Sequence, residues 1–113
     1  MIDLRVEVRG EENADPTAST LTCTAGEQTG TGALATGAAE ACANARQNAD
    51  LLVQGSPQDR MCTEIYGGPQ IAVVTGTLDG EEVDRTFTRS DGCQIADWDT
   101  LQPLLGAPPD QND

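Results

Sequence analysis

The chain predicts an α+β domain: an antiparallel β-sheet of four to five strands with one main α-helix and a short second helix packed on one face, and two disulfides. Three observations carry this. Ile2, Leu4, Val6 and Val8 alternate with Asp3, Arg5, Glu7 and Arg9, the two-residue period of a strand with one buried face. Asp79-Gly80 separates two strand-like runs, Ile71 to Leu78 and Glu81 to Thr88, and Asp-Gly suits the tight primed turn of an antiparallel hairpin. Between these regions Ala38, Ala41, Cys42, Ala45, Ala49, Leu52 and Val53 recur at helical spacing and make one apolar stripe.

The remaining elements follow in chain order. Gly10 to Ala18 is polar and turn-rich around Asp15-Pro16. Thr20 to Thr24 reads as a second short strand, with Leu21 and Cys23 on one face. Gly26 to Gly37, rich in glycine and threonine, reads as loop. Thr36 is placed to cap the main helix and Gly55 to end it. The small residues of its stripe let that helix lie close against a sheet. Gly55 to Pro69 is irregular, interrupted by Ser56-Pro57 and by Gly67-Gly68-Pro69. In the second hairpin strand Val83, Arg85 and Phe87 share a face. After Cys93, Asp97 to Leu105 is expected to form a short helix with Trp98, Leu101 and Leu105 on one side. Residues 1–106 make one domain, and 107–113, holding Pro108-Pro109, is expected to be a disordered tail.

Composition narrows the function classes. Of 113 residues, 19 are acidic and 6 are arginine, for a net charge of −13. Such a surface repels phosphate backbones and anionic lipid, so no nucleic-acid or membrane partner is expected. No apolar run reaches membrane-spanning length. Met1 stands directly before the strand-like Ile2–Val8, from which an export leader is expected to have been replaced by a start methionine. Only Tyr66, Phe87 and Trp98 are aromatic, a thin supply for a core, so covalent staples gain importance.

Cys23, Cys42, Cys62 and Cys93 stand 19, 20 and 31 positions apart, with no Cys-x-x-Cys pair and no histidine anywhere in the chain. Zinc sites use closely spaced ligand pairs, so no metal is expected. An even number of separated cysteines in a short chain points to two disulfides and a secreted protein, each bridge contributing about 2–4 kcal/mol. Cys42 lies on the apolar stripe, which makes a bond to an inward Cys23 sterically natural. Four cysteines nonetheless allow three pairings, and spacing leaves them open.

Catalytic constellations are poorly supplied. Without histidine, Ser-His-Asp and Cys-His sets cannot form, and no enzyme is expected. Glu81/Glu82 are neighbours on a strand and point to opposite faces. Gly30-Thr31-Gly32-Ala33-Leu34-Ala35 imitates a dinucleotide fingerprint, with Asp50 at a suggestive distance, but that motif needs a parallel strand–helix–strand unit. Asp97-x-Asp99 lacks the later ligands and glycine of a calcium loop, and reads as surface charge. No cofactor is expected. What remains is Met61-Cys62-Thr63-Glu64-Ile65-Tyr66-Gly67-Gly68-Pro69. Ile65 and Tyr66 have no place in a core pattern, and Cys62 anchors the segment two residues before Glu64.

The ordered set Leu21-Thr22-Cys23, Gly30-Thr31, Ala41-Cys42, Met61-Cys62-x-x-Ile65-Tyr66, Pro69 before an apolar strand, Gly76-x-x-x-Gly80, and Phe87 ahead of Cys93 resembles the Streptomyces-type subtilisin inhibitors. The likeness spans roughly residues 2 to 95. The resemblance implies bridges Cys23–Cys42 and Cys62–Cys93, a five-stranded antiparallel sheet with two helices, and a homodimer formed through the sheets. It also implies substrate-like inhibition of a serine protease through the reactive bond Glu64–Ile65, with Met61, Cys62, Thr63, Tyr66 and Gly67 as flanking contacts. The chain departs from the family at Glu64, where a non-acidic residue is usual, and by one extra glycine between Tyr66 and Pro69. Glu64 suits the cationic pocket of a glutamyl endopeptidase. In the apolar pocket of a subtilisin-like enzyme a glutamate has to be neutral, which at pH 7 costs roughly 3.7 kcal/mol, about 500-fold in affinity. The other class of function is a non-inhibitory secreted or envelope-attached binding module of the same fold.

Overall fold

A computed structural model describes residues 1–11, 13–55 and 60–106. The tail at 107–113 and the Ser56-Pro57 break lie outside the described residues. The strands are β1 (Ile2–Arg9), β2 (Thr17–Cys23), β3 (Gln28–Thr31), β4 (Ile71–Leu78) and β5 (Glu81–Thr88), joined into one antiparallel sheet in the order β3-β2-β1-β4-β5. The helices among the described residues are α1 (Ala38–Gln47), α2 (Ala49–Val53), α3 (Gly92–Thr100) and α4 (Gln102–Leu105).

Register follows the alternation read from β1. Leu4 stands opposite Leu21 on one side and Gly76 on the other, and Val6 stands opposite Val74. Partners directly opposite share a face, so Ile2, Leu4, Val6, Leu21, Cys23, Ala72, Val74, Leu78, Val83 and Phe87 line one buried surface. Ala41, Ala45, Leu52, Trp98, Leu101 and Leu104 close over it from the helices. Cys23 bonds to Cys42, with Cα atoms 5.9 Å apart, tying β2 to α1 inside this core. The opposite sheet face presents Asp3, Arg5, Thr20, Thr75, Thr77, Glu82 and Asp84 outward. Asp79 (φ 52°) and Gly80 (φ 87°) both take the left-handed backbone that a primed hairpin turn requires.

Several boundaries differ from the sequence expectation. The second strand starts at Thr17 rather than Thr20. The stretch read as loop from Gly26 to Gly37 holds β3 and a 3-10 turn over Gly32–Leu34. β3 is polar and recruited by its neighbour: Thr20 and Thr31 lie opposite, and their hydroxyl oxygens are 2.7 Å apart. The sheet is antiparallel throughout, so Gly30–Ala35 has no dinucleotide-binding context. Thr36 does not cap α1; Gly37, in left-handed backbone, holds that position without a side-chain bond. The expected single helix is two, broken at Asn48, whose side-chain amide donates to Asn44 O at 3.0 Å. Such local bonding competes with the helix ladder. Gly55 does stop α2, its N–H donating to Asp50 O at 3.2 Å.

The final helical region begins at Gly92, five residues earlier than expected, because the Asp91 carboxylate accepts the Gln94 N–H at 2.9 Å and caps it. Pro103 then sits in the first turn of α4, where a missing N–H costs nothing. Trp98, Leu101 and Leu105 are buried as the pattern predicts. Arg85, on the inward face of β5, is accommodated by capping α2: its guanidinium donates to Leu52 O at 3.2 Å and Val53 O at 2.5 Å. No described helix is long and apolar enough to cross a membrane.

Candidate functional site: an exposed strap on helix α3

From Met61 to Gly68 the chain runs without helix, turn or bend, and Met61 through Gly67 are exposed. Met61 is 98% exposed, Ile65 59% and Tyr66 67%. Among the described residues only Met1 joins them as an exposed large hydrophobic side chain. Three such residues within one six-residue segment make the largest departure from a polar surface.

The strap is fixed at several points to α3 and to the end of β5. Cys62 bonds to Cys93, with Cα atoms 5.2 Å apart. One residue on, the Thr63 carbonyl accepts the Gly92 N–H at 2.9 Å. Beyond the proposed reactive bond, the Gly67 N–H donates to Arg89 O at 2.7 Å. Close approach at Gly92 depends on the missing side chain, since a Cβ there would overlap Thr63 Oγ1. A Cβ on Gly67 would likewise strike Ile95 Cδ1. Before the bridge, Arg60 makes a two-point pair with Asp97: Nη1 to Oδ1 at 3.2 Å and Nη2 to Oδ2 at 2.6 Å. Those hydrogen bonds, and after them the Asp97 charge, hold the Arg60 guanidinium above its ordinary pKa. The Glu64 side chain is exposed, and its carbonyl accepts no backbone hydrogen bond from the described residues.

Cys62, Thr63 and Gly67 thus take part in the attachments, while Met61, Glu64, Ile65 and Tyr66 stand free of the core. The sequence reading missed the floor beneath them: Arg60, Arg89, Gly92, Ile95 and Asp97. Against the expectation of surface charge at both positions, Asp97 is buried beside Arg60, and only Asp99 is exposed, paired with Arg89 at 3.1 Å. Asp91-x-x-Gln94, which has capping-box spacing, was the available signal for where α3 starts. The Asp91 carboxylate lies within 4.8 Å of the Cys62 and Cys93 sulfurs. Their mutual bond leaves no thiolate for a metal ion.

The arrangement can present a short peptide, in one backbone shape, to a partner that reads extended chain. No protein-family model and no curated protein matches this chain.

Proposed function

We propose that the chain is a secreted inhibitor of serine proteases that offers Glu64–Ile65 as a substrate-like bond. One observation carries the reading: the exposed Met61, Ile65 and Tyr66 flank a strap pinned by a disulfide and backbone hydrogen bonds on both sides of that bond. Two disulfides support an oxidising, extracellular setting.

The chemistry is that of an ordinary acyl transfer held near reversal. The strap adds backbone hydrogen bonds to the protease cleft as an extra strand would, and Glu64 enters the specificity pocket. The protease serine oxygen bonds to the Glu64 carbonyl carbon, and the serine proton passes through the protease base to the departing Ile65 amine. Water would complete hydrolysis and leave a Glu64 carboxylate. The Gly67–Arg89 contact instead keeps the Ile65 amine beside the ester, so the reverse attack re-forms the peptide bond. Affinity comes from preorganisation, because little loop entropy is lost on docking. A protease–inhibitor interface typically buries about 1,600 Å² in total.

Glu64 selects the target. A glutamyl endopeptidase supplies a cationic pocket, whereas a subtilisin-like enzyme binds only against the neutralisation cost. The family likeness further supports a homodimer through the outer sheet face, where Arg5 lies between Thr20 and Thr75, beside Asp3. Light scattering across a dilution series checks that part.

The test of function is titration against a panel of serine proteases that includes a glutamyl endopeptidase, reading enzyme activity and intact mass together. An inhibitor remains largely whole while activity falls stoichiometrically. A binding module that does not inhibit is ignored by every enzyme or cut to completion.

A further inference from the structure

The inhibitory reading uses the disulfide and two backbone contacts, and leaves the Arg60–Asp97 pair without a task. Asp97 is almost wholly buried, its side chain 8% exposed, while Arg60 reaches it from the strap. With the carboxylate buried and the Arg60 side chain 28% exposed, such a pair adds little net stability, because desolvation of the carboxylate roughly offsets the attraction. Its placement is more informative. Asp97 stands four residues after Cys93 on α3, one turn along the same face and about 6 Å away by helical rise. Arg60 stands two residues before Cys62, about 6.6 Å away along extended chain. The two spacings match, so the strap runs antiparallel to the helix in register: Arg60 on Asp97, Cys62 on Cys93, Thr63 on Gly92.

We propose that Arg60 and Asp97 are positioning residues that hold the direction of the strap. This inference rests on the inhibitory reading. A segment anchored at the disulfide alone swings about that anchor. A second anchor one step away fixes the line on which Thr63 and Glu64 leave the scaffold. After acylation, the Glu64 ester and the Ile65 amine meet again only if that line is kept. The pair therefore sets the ratio of religation to hydrolysis, with little effect on the first encounter.

The test compares full-length wild type with Arg60→Met/Asp97→Leu, in which apolar groups of similar size replace both charges, and with the swap Arg60→Asp/Asp97→Arg. Far-UV circular dichroism and free-thiol assay establish that each variant is folded with both bridges closed. With a protease that wild type inhibits, the Met/Leu variant should show an unchanged association rate. Its Glu64–Ile65 bond should be hydrolysed about tenfold faster or more, because Met and Leu pack without the two-point geometry that fixes the direction of the strap. The swap should recover much of the difference. Amide relaxation gives a readout independent of any protease: order parameters at Met61–Ile65 should fall from about 0.85 toward 0.6 in the Met/Leu variant while the sheet stays rigid. Unchanged order parameters with unchanged hydrolysis overturn the proposal. If wild type inhibits nothing yet the order parameters fall, the clamp stands and the inhibitory reading falls. If wild type inhibits and neither readout moves, the clamp alone is wrong.

Discussion

Removing the two disulfides one at a time should separate stability from inhibition. Cys62–Cys93 spans 31 residues of separation and Cys23–Cys42 spans 19. On loop-closure entropy these correspond to about 3.7 and about 3.2 kcal/mol of stability. For a chain of 113 residues the larger value translates to a fall in melting temperature of roughly 16 °C. Their sites differ more than their loops do. Cys23 and Cys42 are 0% and 1% exposed, so opening that bridge also disturbs the core, whereas Cys62 lies at the surface. The Cys23→Ala/Cys42→Ala variant should therefore lose at least as much stability as Cys62→Ser/Cys93→Ser. Inhibition should follow the opposite order. Without the surface bridge the strap keeps Arg60, Thr63 and Gly67 contacts but loses its covalent anchor, and cleavage at Glu64–Ile65 should run to completion. Thermal unfolding by circular dichroism, with intact mass during protease exposure, reads both quantities. A Cys62→Ser/Cys93→Ser protein that stays whole and inhibits like wild type would show that the bridge does not hold the cleaved strap together.

Three further outcomes follow from named contacts. Glu64→Met should strengthen inhibition of a subtilisin by up to about 500-fold, the neutralisation cost at pH 7, and abolish inhibition of a glutamyl endopeptidase; inhibition constants for both enzymes check it. Gly92→Ala should drive Thr63 off α3 and speed cleavage, and Thr63→Ala in the same chain should restore much of the loss by removing the overlapping hydroxyl; hydrolysis rates of the two single variants and the double show whether the sites couple. Trp98→Ala should cost about 3–5 kcal/mol in urea unfolding, since Trp98 is fully buried and its indole N–H donates to Gly106 O at 3.1 Å.

Where local chemistry decides, the sequence was readable. The β1 alternation and the Asp79-Gly80 turn contain their own instructions, and both appear with the expected faces and backbone. The even cysteine count foretold two bridges, although spacing left three pairings open and only the resemblance implied the full set, Cys23–Cys42 and Cys62–Cys93, that the structure holds. What stayed hidden depends on partners distant in the chain. β3 has no apolar alternation of its own; Thr20 and Thr22 of β2 recruit it. Asp97 is indistinguishable from Asp99 until Arg60, 37 positions earlier, is brought beside it. Gly92 carries no signal of its own in the sequence; its value lies in leaving room for Thr63 Oγ1. The strap itself was visible as large side chains without a core position, whereas its floor was not.

In the proposed inhibitor the strap holds both ends of a broken Glu64–Ile65 bond close enough to rejoin. The direct measurement starts from protein already clipped at that bond, purified, and returned to a trace of the protease that clipped it. Intact chain, lighter by one water, should reappear until mixtures begun from clipped and from whole protein converge. Clipped chain that never regains the bond, with a protease the whole protein inhibits, would contradict it.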